Sequence, residues 1–522
     1  MGSGARNAVV FVNVSHPDDI RDRAVQTDIR RHVMRDIGKS RRRRRRPTIV
    51  PLELVEDQPS NEQEKPPAVY GGEIKQSSPA IHSLGPGCCL PLEPDSRTLE
   101  LFHFMCADGD YNQRPFRLVW IGMALSDAGA FSLSLAYAVA FMNQLRRRDA
   151  CFLDFGDDAE SAGYYSRALT HLARQLGDHA ARVSEGAIAT VLGFICQDAN
   201  AGNWDRWAVH MNGLEHMWRL RGGFEGLGNN IPLITVWLDL VGAVVFDLRP
   251  RFPLPQEMDG AATLPHEVKE ISPALRLLCV RLLELSPQLG PAVRALHLTS
   301  SVAAVANLNS QAPLFWKGDV GLVKMTGPAF HHLLFMPKFD VAARRGAHDV
   351  PVAVLVVEMA RLACLLLLVG LKARFSMPVP EMRPLRERFD NLLAIEPAGW
   401  TWEFRGLQLW SLVTAALLRP SQERRHLVGE IRRLTRAQGL AQHHDAIQMA
   451  REILWIDDLE SCETESLSQE LTLSHASCLA EEQREKFDAY KTQEDIPLPT
   501  LDDTTLISWS PSATLPDYDQ DV

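Results

Sequence analysis

Histidines, cysteines and paired carboxylates are the residues here whose chemistry is open to use, and their spacing argues against the usual sites. His331-His332 and His443-His444 are adjacent pairs. Neighbours in a helix point to different sides, so neither pair easily holds one metal ion. His210 and His216 are separated by about 600° around a helix and face apart. The cysteines lie at 88, 89, 106, 151, 196, 279, 364, 462 and 478, with no CxxC pair. Zinc ribbons, zinc clusters and thioredoxin-type sites are therefore unsupported. There is no GxSxG, no GxxxxGKS/T, no HExxH and no GxGxxG after a strand, which leaves the common catalytic and phosphate-binding motifs unrepresented. Asp157-Asp158 and Asp457-Asp458 read as helix-start or surface acids. Trp204, Trp207, Trp218, Trp237, Trp316, Trp400, Trp402, Trp410 and Trp455 fall in helical segments and read as packing residues rather than base-stacking platforms. No catalytic residue, metal or cofactor is expected, and the chain does not read as an enzyme.

Arginine is different. Six arginines run from Arg41 to Arg46 at the end of a basic segment. Residues 21–46 hold 12 basic and 3 acidic side chains, a net of +9, in a chain whose formal charge is −10. Folding does not need such asymmetry; it points to a partner that reads positive charge. Runs of five to eight basic residues serve as import signals or nucleic-acid patches. The residues assigned to import or nucleic-acid contact are Arg30, Arg31, Arg35, Lys39, Arg41, Arg42, Arg43, Arg44, Arg45 and Arg46. Phosphate contact by such a strip is salt-sensitive and independent of sequence. Choosing a gene needs an element placed in a groove.

The elements around this segment follow from composition. Residues 8–14 read as a short β-rich run. Ser15 then caps a helix with Ile20, Ile29, Val33 and Ile37 on helical spacing, and Gly38 stops it. This makes 1–46 a basic segment with a short helix. From 47 to 95 prolines recur and no apolar period is sustained, so a flexible linker is expected. Residues 96–459 are helical in pattern almost throughout. Ala159–Leu176, Ala187–Ala199, Trp207–Leu220 and Ala353–Phe375 stand out, separated by Gly177-Asp178, Gly202-Asn203, Gly222-Gly223 and Gly228-Asn229. Residues 460–522 read as an acidic tail, largely disordered, with one helix near Leu479–Lys491. Over 456–522 there are 17 acidic residues against Arg484, Lys486 and Lys491, a net of −14. Leu467, Leu471, Leu473, Leu498, Leu501, Ile507 and Trp509 are interspersed, a composition shared with activation segments. The expected fold class is all-α: a multi-helix array of antiparallel helices with disordered basic N-terminal and acidic C-terminal flanks. Two apolar stretches, Val119–Met142 and Val350–Leu371, have membrane-span length. The first carries Asp127 and the second Glu358 and Arg361. Charges at a bilayer centre cost about 2.5–3.5 kcal/mol each, so both are assigned to buried helices and no span is expected. The N-terminus lacks a long apolar h-region and the cysteine count is odd, which predicts a reducing intracellular compartment.

Tyr164-Tyr165-Ser166-Arg167-Ala168-Leu169 is followed by Gly202-Asn203-Trp204-Asp205, then His210-Met211-Asn212-Gly213-Leu214, Met217, and Leu220-Arg221-Gly222-Gly223. This series resembles the regulatory domain of fungal-specific transcription factors, a family that often carries an N-terminal binuclear zinc cluster. The resemblance covers roughly residues 100–455. The opening, Phe11-Val12-Asn13-Val14 through His16-Pro17-Asp18 to Arg30-Arg31-His32-Val33-Met34 and the arginine run, is similar to the start of a subgroup that lacks the cluster. The resemblance implies a nuclear, helical regulator. Its partners would be a nuclear import receptor together with either DNA, held non-specifically, or a DNA-binding partner protein. A cytoplasmic helical scaffold tethered to anionic membrane or RNA by the polybasic segment is the alternative. In physical terms the motif helix should carry Met211, Leu214 and Trp218 on one side. Gly213 should allow close helix approach, and Gly222 should supply the left-handed terminating position.

Overall fold

Capping side chains and glycines divide the chain into helices where the apolar period breaks. The computed structural model describes residues 90–106, 116–146, 158–228, 230–258, 271–339, 351–395, 404–437, 444–459 and 463–472. Among the described residues there is helix and turn but no strand. The helices are α1 (Ser96–Cys106), α2 (Arg117–Ser126), α3 (Ala128–Arg146), α4 (Ala159–Gly177), α5 (Glu185–Asn200), α6 (Trp204–Arg221), α7 (Ile231–Phe246) and α8 (Pro273–Leu285). They continue with α9 (Gly290–Leu308), α10 (Asp319–Phe335), α11 (Val352–Arg374), α12 (Met382–Leu393), α13 (Arg405–Leu417), α14 (Arg425–Ala437) and α15 (His444–Ile453). A last helix, α16, spans 463–472.

The starts have side-chain causes. Asp158 accepts from the amides of Glu160 and Ser161 to open α4. Ser184 caps α5, Asn203 caps α6, and Ser272, followed by Pro273, caps α8. Each side chain satisfies an amide that the first turn leaves without a partner. Gly222, at φ 87°, ends α6 as expected, its amide donating to the carbonyls of Trp218 and Arg219.

Val119–Met142 is not one helix. Asp127 is extended (φ −151°) and ends α2, and its carboxylate caps α3 through the amides of Gly129 at 2.7 Å and Ala130 at 3.1 Å. The Thr190 hydroxyl and the Gln175 amide donate to the same carboxylate. Burial alone would raise its pKa; these bonds outweigh burial and hold it below the usual aspartate value.

The core is organised around α11. Nearly every residue from Leu355 to Lys372 is buried, and α9, α10, α12 and α13 pack against it. By length and composition this helix could cross a membrane, yet here it is the centre of a protein core. Its charges are paired: Arg361 meets Glu358 at 2.6 Å and Asp247 at 2.9 Å. Lys372 pairs with Glu381 and lies 5.0 Å from the Trp237 ring centre. Asp247 takes a left-handed conformation (φ 53°) at the end of α7, a position that aspartate tolerates better than most residues.

Consecutive helices pack as pairs, α3 on α4 and α5 on α6. Trp207, Met211, Leu214 and Met217 form the buried face of α6, with Trp218 half-buried beside them. Gly213 departs from expectation. It is exposed, and a Cβ there would meet nothing within 4 Å. Close approach occurs on α7 instead, where a Cβ on Gly242 would lie 2.0 Å from the Trp207 ring. Trp207, Trp237, Trp410 and Trp455 are buried, while Trp204, Trp218 and Trp316 pack partly buried against the core. Trp316 sits in a 3-10 turn and Trp455 just beyond α15. Trp400 and Trp402 lie outside the described residues.

Candidate functional site

The ten basic residues assigned to import or nucleic-acid contact, Arg30 through Arg46, lie outside the described residues. So do the N-terminal helix, the linker up to residue 89 and the expected helix near Leu479–Lys491. Two polar clusters within the described residues were not anticipated.

One joins α4, α5 and α6 at the motif. Asp198, 1% exposed, sits in the last turn of α5, and its Oδ1 lies 2.8 Å from Arg206. Arg206 also donates to the Tyr165 hydroxyl. The His210 ring stacks on Phe194 at 5.3 Å between centroids, with Nε2 3.6 Å from Asp198 Oδ2. Gln197, next in the chain, is 2% exposed, and neither of its amide atoms has a partner. Burial pushes the Asp198 carboxyl up to about 6 against the opposing pull of Arg206. Burial, aided by Arg206, also lowers the pKa of His210. Near neutral pH the pair is therefore aspartate and neutral imidazole.

Among the described residues no activated nucleophile accompanies this pair. Cys196 is half-buried beside Tyr137 and Asn200, and burial pushes its thiol up to about 11, which leaves it protonated at neutral pH. The cluster's evident work is to fasten the α5–α6 turn to α4. His331 packs on Phe335, the His332 ring contacts the Pro291 carbonyl, and His216 is exposed on the far side of α6 from His210. Among the described residues no three His, Cys, Asp or Glu side chains converge as a metal set.

The second cluster fastens α16 to the body. Arg424, fully buried, precedes α14. It donates to Glu470 at 2.6 Å, to Glu463 at 2.8 Å, and to the hydroxyls of Ser466 and Ser421. Arg432 caps the far end by donating to the Leu471 carbonyl at 2.8 Å. Leu467 and Leu471 are fully buried beneath. The first part of the acidic tail is thus a docked amphipathic helix. The spacing Glu463, Ser466, Leu467, Glu470, Leu471 carried that signal, because positions three and four apart share a helix face.

A narrow cleft beneath the Gly222-Gly223 turn is lined by Ile188, Leu214, Trp218, Phe224, Leu227 and Thr235. Trp218 Nε1 and Thr235 Oγ1 are buried there without partners. The space suits about one water molecule, which needs polar partners of this kind.

Comparison with known proteins places this region. No curated protein and no solved structure matches the chain. Residues 102–302, from α1 into α9 and including the Asp198 cluster and the cleft, match the family described as fungal specific transcription factor domain.

Proposed function

We propose that the chain is a nuclear transcription regulator of the fungal-specific kind. The observation that carries this reading is the family match over residues 102–302, which falls on helices in an all-α array. The charge layout adds support: a net +9 over residues 21–46 and a net −14 over 456–522 flank the helical body. On this reading the protein is non-enzymatic, and Arg41–Arg46 form the core of an import signal read by an import receptor. These 522 residues contain no CxxC pair; on this reading promoter choice falls to a DNA-binding partner protein, with the basic arm adding non-specific phosphate contact. Imaging the tagged full chain with and without Arg41–Arg46 replaced by alanine tests the reading. Nuclear signal lost on replacement supports it. Cytoplasmic or membrane signal in both forms overturns it in favour of a scaffold tethered to anionic lipid or RNA.

A further inference from the structure

Helix α8 has two apolar faces, and among the described residues only one is covered. Leu275, Leu278, Cys279 and Leu282 are buried against the core. On the opposite side Leu277, Val280 and Leu283 are 53%, 47% and 42% exposed. Arg276, Leu277, Val280, Leu283 and Glu284 fall within about 120° of arc at 3.6 residues per turn. Arg276 and Glu284 are exposed, and neither forms an ion pair among the described residues. A helix apolar on both sides normally has a second neighbour.

The sequence of this face is its own complement. If a second α8 lies antiparallel across a two-fold axis at Val280, then Val280 meets Val280, Leu277 meets Leu283 and Arg276 meets Glu284. Each contact occurs twice. This is the pattern of an isologous interface, in which residue i meets j and j meets i. Opposite charges four residues either side of a central apolar residue give the charge complementarity that a second antiparallel copy would use. We infer that the exposed face of α8 is a homodimer contact, with a second copy of this chain as the occupant. This goes beyond the transcriptional reading and does not depend on it. A 13-residue helix is only about 20 Å long and covers less than the ~800 Å² per partner of a standard interface. The dimer is accordingly a weak one, and the neighbouring helix α15, which packs on α8, presents the exposed Gln448, Arg451 and Glu452 as adjoining surface.

Sedimentation equilibrium of the full chain tests the inference through charge reversal. Wild type should dimerise below about 0.1 mM. Arg276→Glu and Glu284→Arg should each weaken the dimer about tenfold, because each replaces two attractive pairs with two repulsive ones. The double variant Arg276→Glu/Glu284→Arg should regain wild-type association, since the pairs re-form with their signs exchanged. Leu277→Glu should abolish the dimer. All these positions are exposed, so thermal unfolding measured at concentrations where wild type is monomeric should be unchanged in each variant. A wild type that stays monomeric throughout that range overturns the proposal. So does a dimer indifferent to all four variants, or a double variant no better than the singles.

Discussion

Replacing Arg424 with alanine should release α16 while leaving the rest of the fold intact. Arg424 is fully buried and is the hub for Glu463, Glu470, Ser421 and Ser466. Removing one partner of a fully buried ion pair costs about 3–5 kcal/mol. Here Glu463 and Glu470 keep side-chain exposures of 42% and 26%, so water recovers part of that loss and about 2–3 kcal/mol remains. That is about a thirty- to hundredfold larger open population at about 1.4 kcal/mol per factor of ten. Hydrogen exchange on the full chain reads it directly: amides of 463–472 should exchange faster by that factor, with those of α11 unchanged. Leu471→Ala should act in the same direction, because a fully buried leucine is lost from the contact. Acidification should do likewise. Burial alone would raise the Glu470 carboxyl, but Arg424, Ser421 and Ser466 outweigh it and hold the group below its ordinary value of 4.5. A depressed carboxyl contributes stability above that ordinary value and loses it as pH falls through the folded-state value. Undocking should therefore begin below about pH 4.5. Unchanged exchange at 463–472 in Arg424→Ala, or equal acceleration in α11, would refute the picture of a separately held helix.

Other expectations follow from individual residues. Gly242→Ala should destabilise by about 3 kcal/mol or more, because its Cβ would enter the Trp207 ring. Gly213→Ala, in open space on a helix, should stabilise by about 0.5–1 kcal/mol; thermal unfolding of both separates a packed glycine from a tolerated one. Asp198, 1% exposed with its carboxyl raised to about 6, binds a proton more tightly folded than unfolded. Its contribution should thus decline as pH rises from about 4 to 6, by about 3 kcal/mol. Denaturation curves of wild type and Asp198→Asn across that window should diverge by this amount, and parallel curves would count against it. Arg361→Ala should cost about 3–5 kcal/mol by stranding Glu358 and Asp247, measurable as a fall in the urea midpoint.

How far the sequence reached depends on the distance over which each feature is decided. Helix existence is local. The spans expected at Ala159–Leu176, Ala187–Ala199, Trp207–Leu220 and Ala353–Phe375 recur within a few residues as α4, α5, α6 and α11, because apolar period and caps act over one or two turns. The Gly222 terminus was readable for the same reason, and so was the motif series within the matched residues 102–302. Gly213 was misjudged because close approach belongs to a pair of helices. The sequence of α6 does not show that Gly242 of α7 receives the Trp207 ring. Asp198 with Arg206 and His210, Arg361 with Asp247, and Arg424 with Glu463 and Glu470 escaped for a related reason. A charge in an apolar run signals that a partner exists, but the partner's identity is set by three-dimensional packing. By itself the sequence determined an all-helical body and the opposite charges of the two ends, since period, caps and net charge are sums over neighbouring residues. Only the tertiary structure decided which charges meet, that the start of the acidic tail docks on Arg424, and which face of α8 is left open. Those outcomes depend on side chains distant in the chain arriving at the same place.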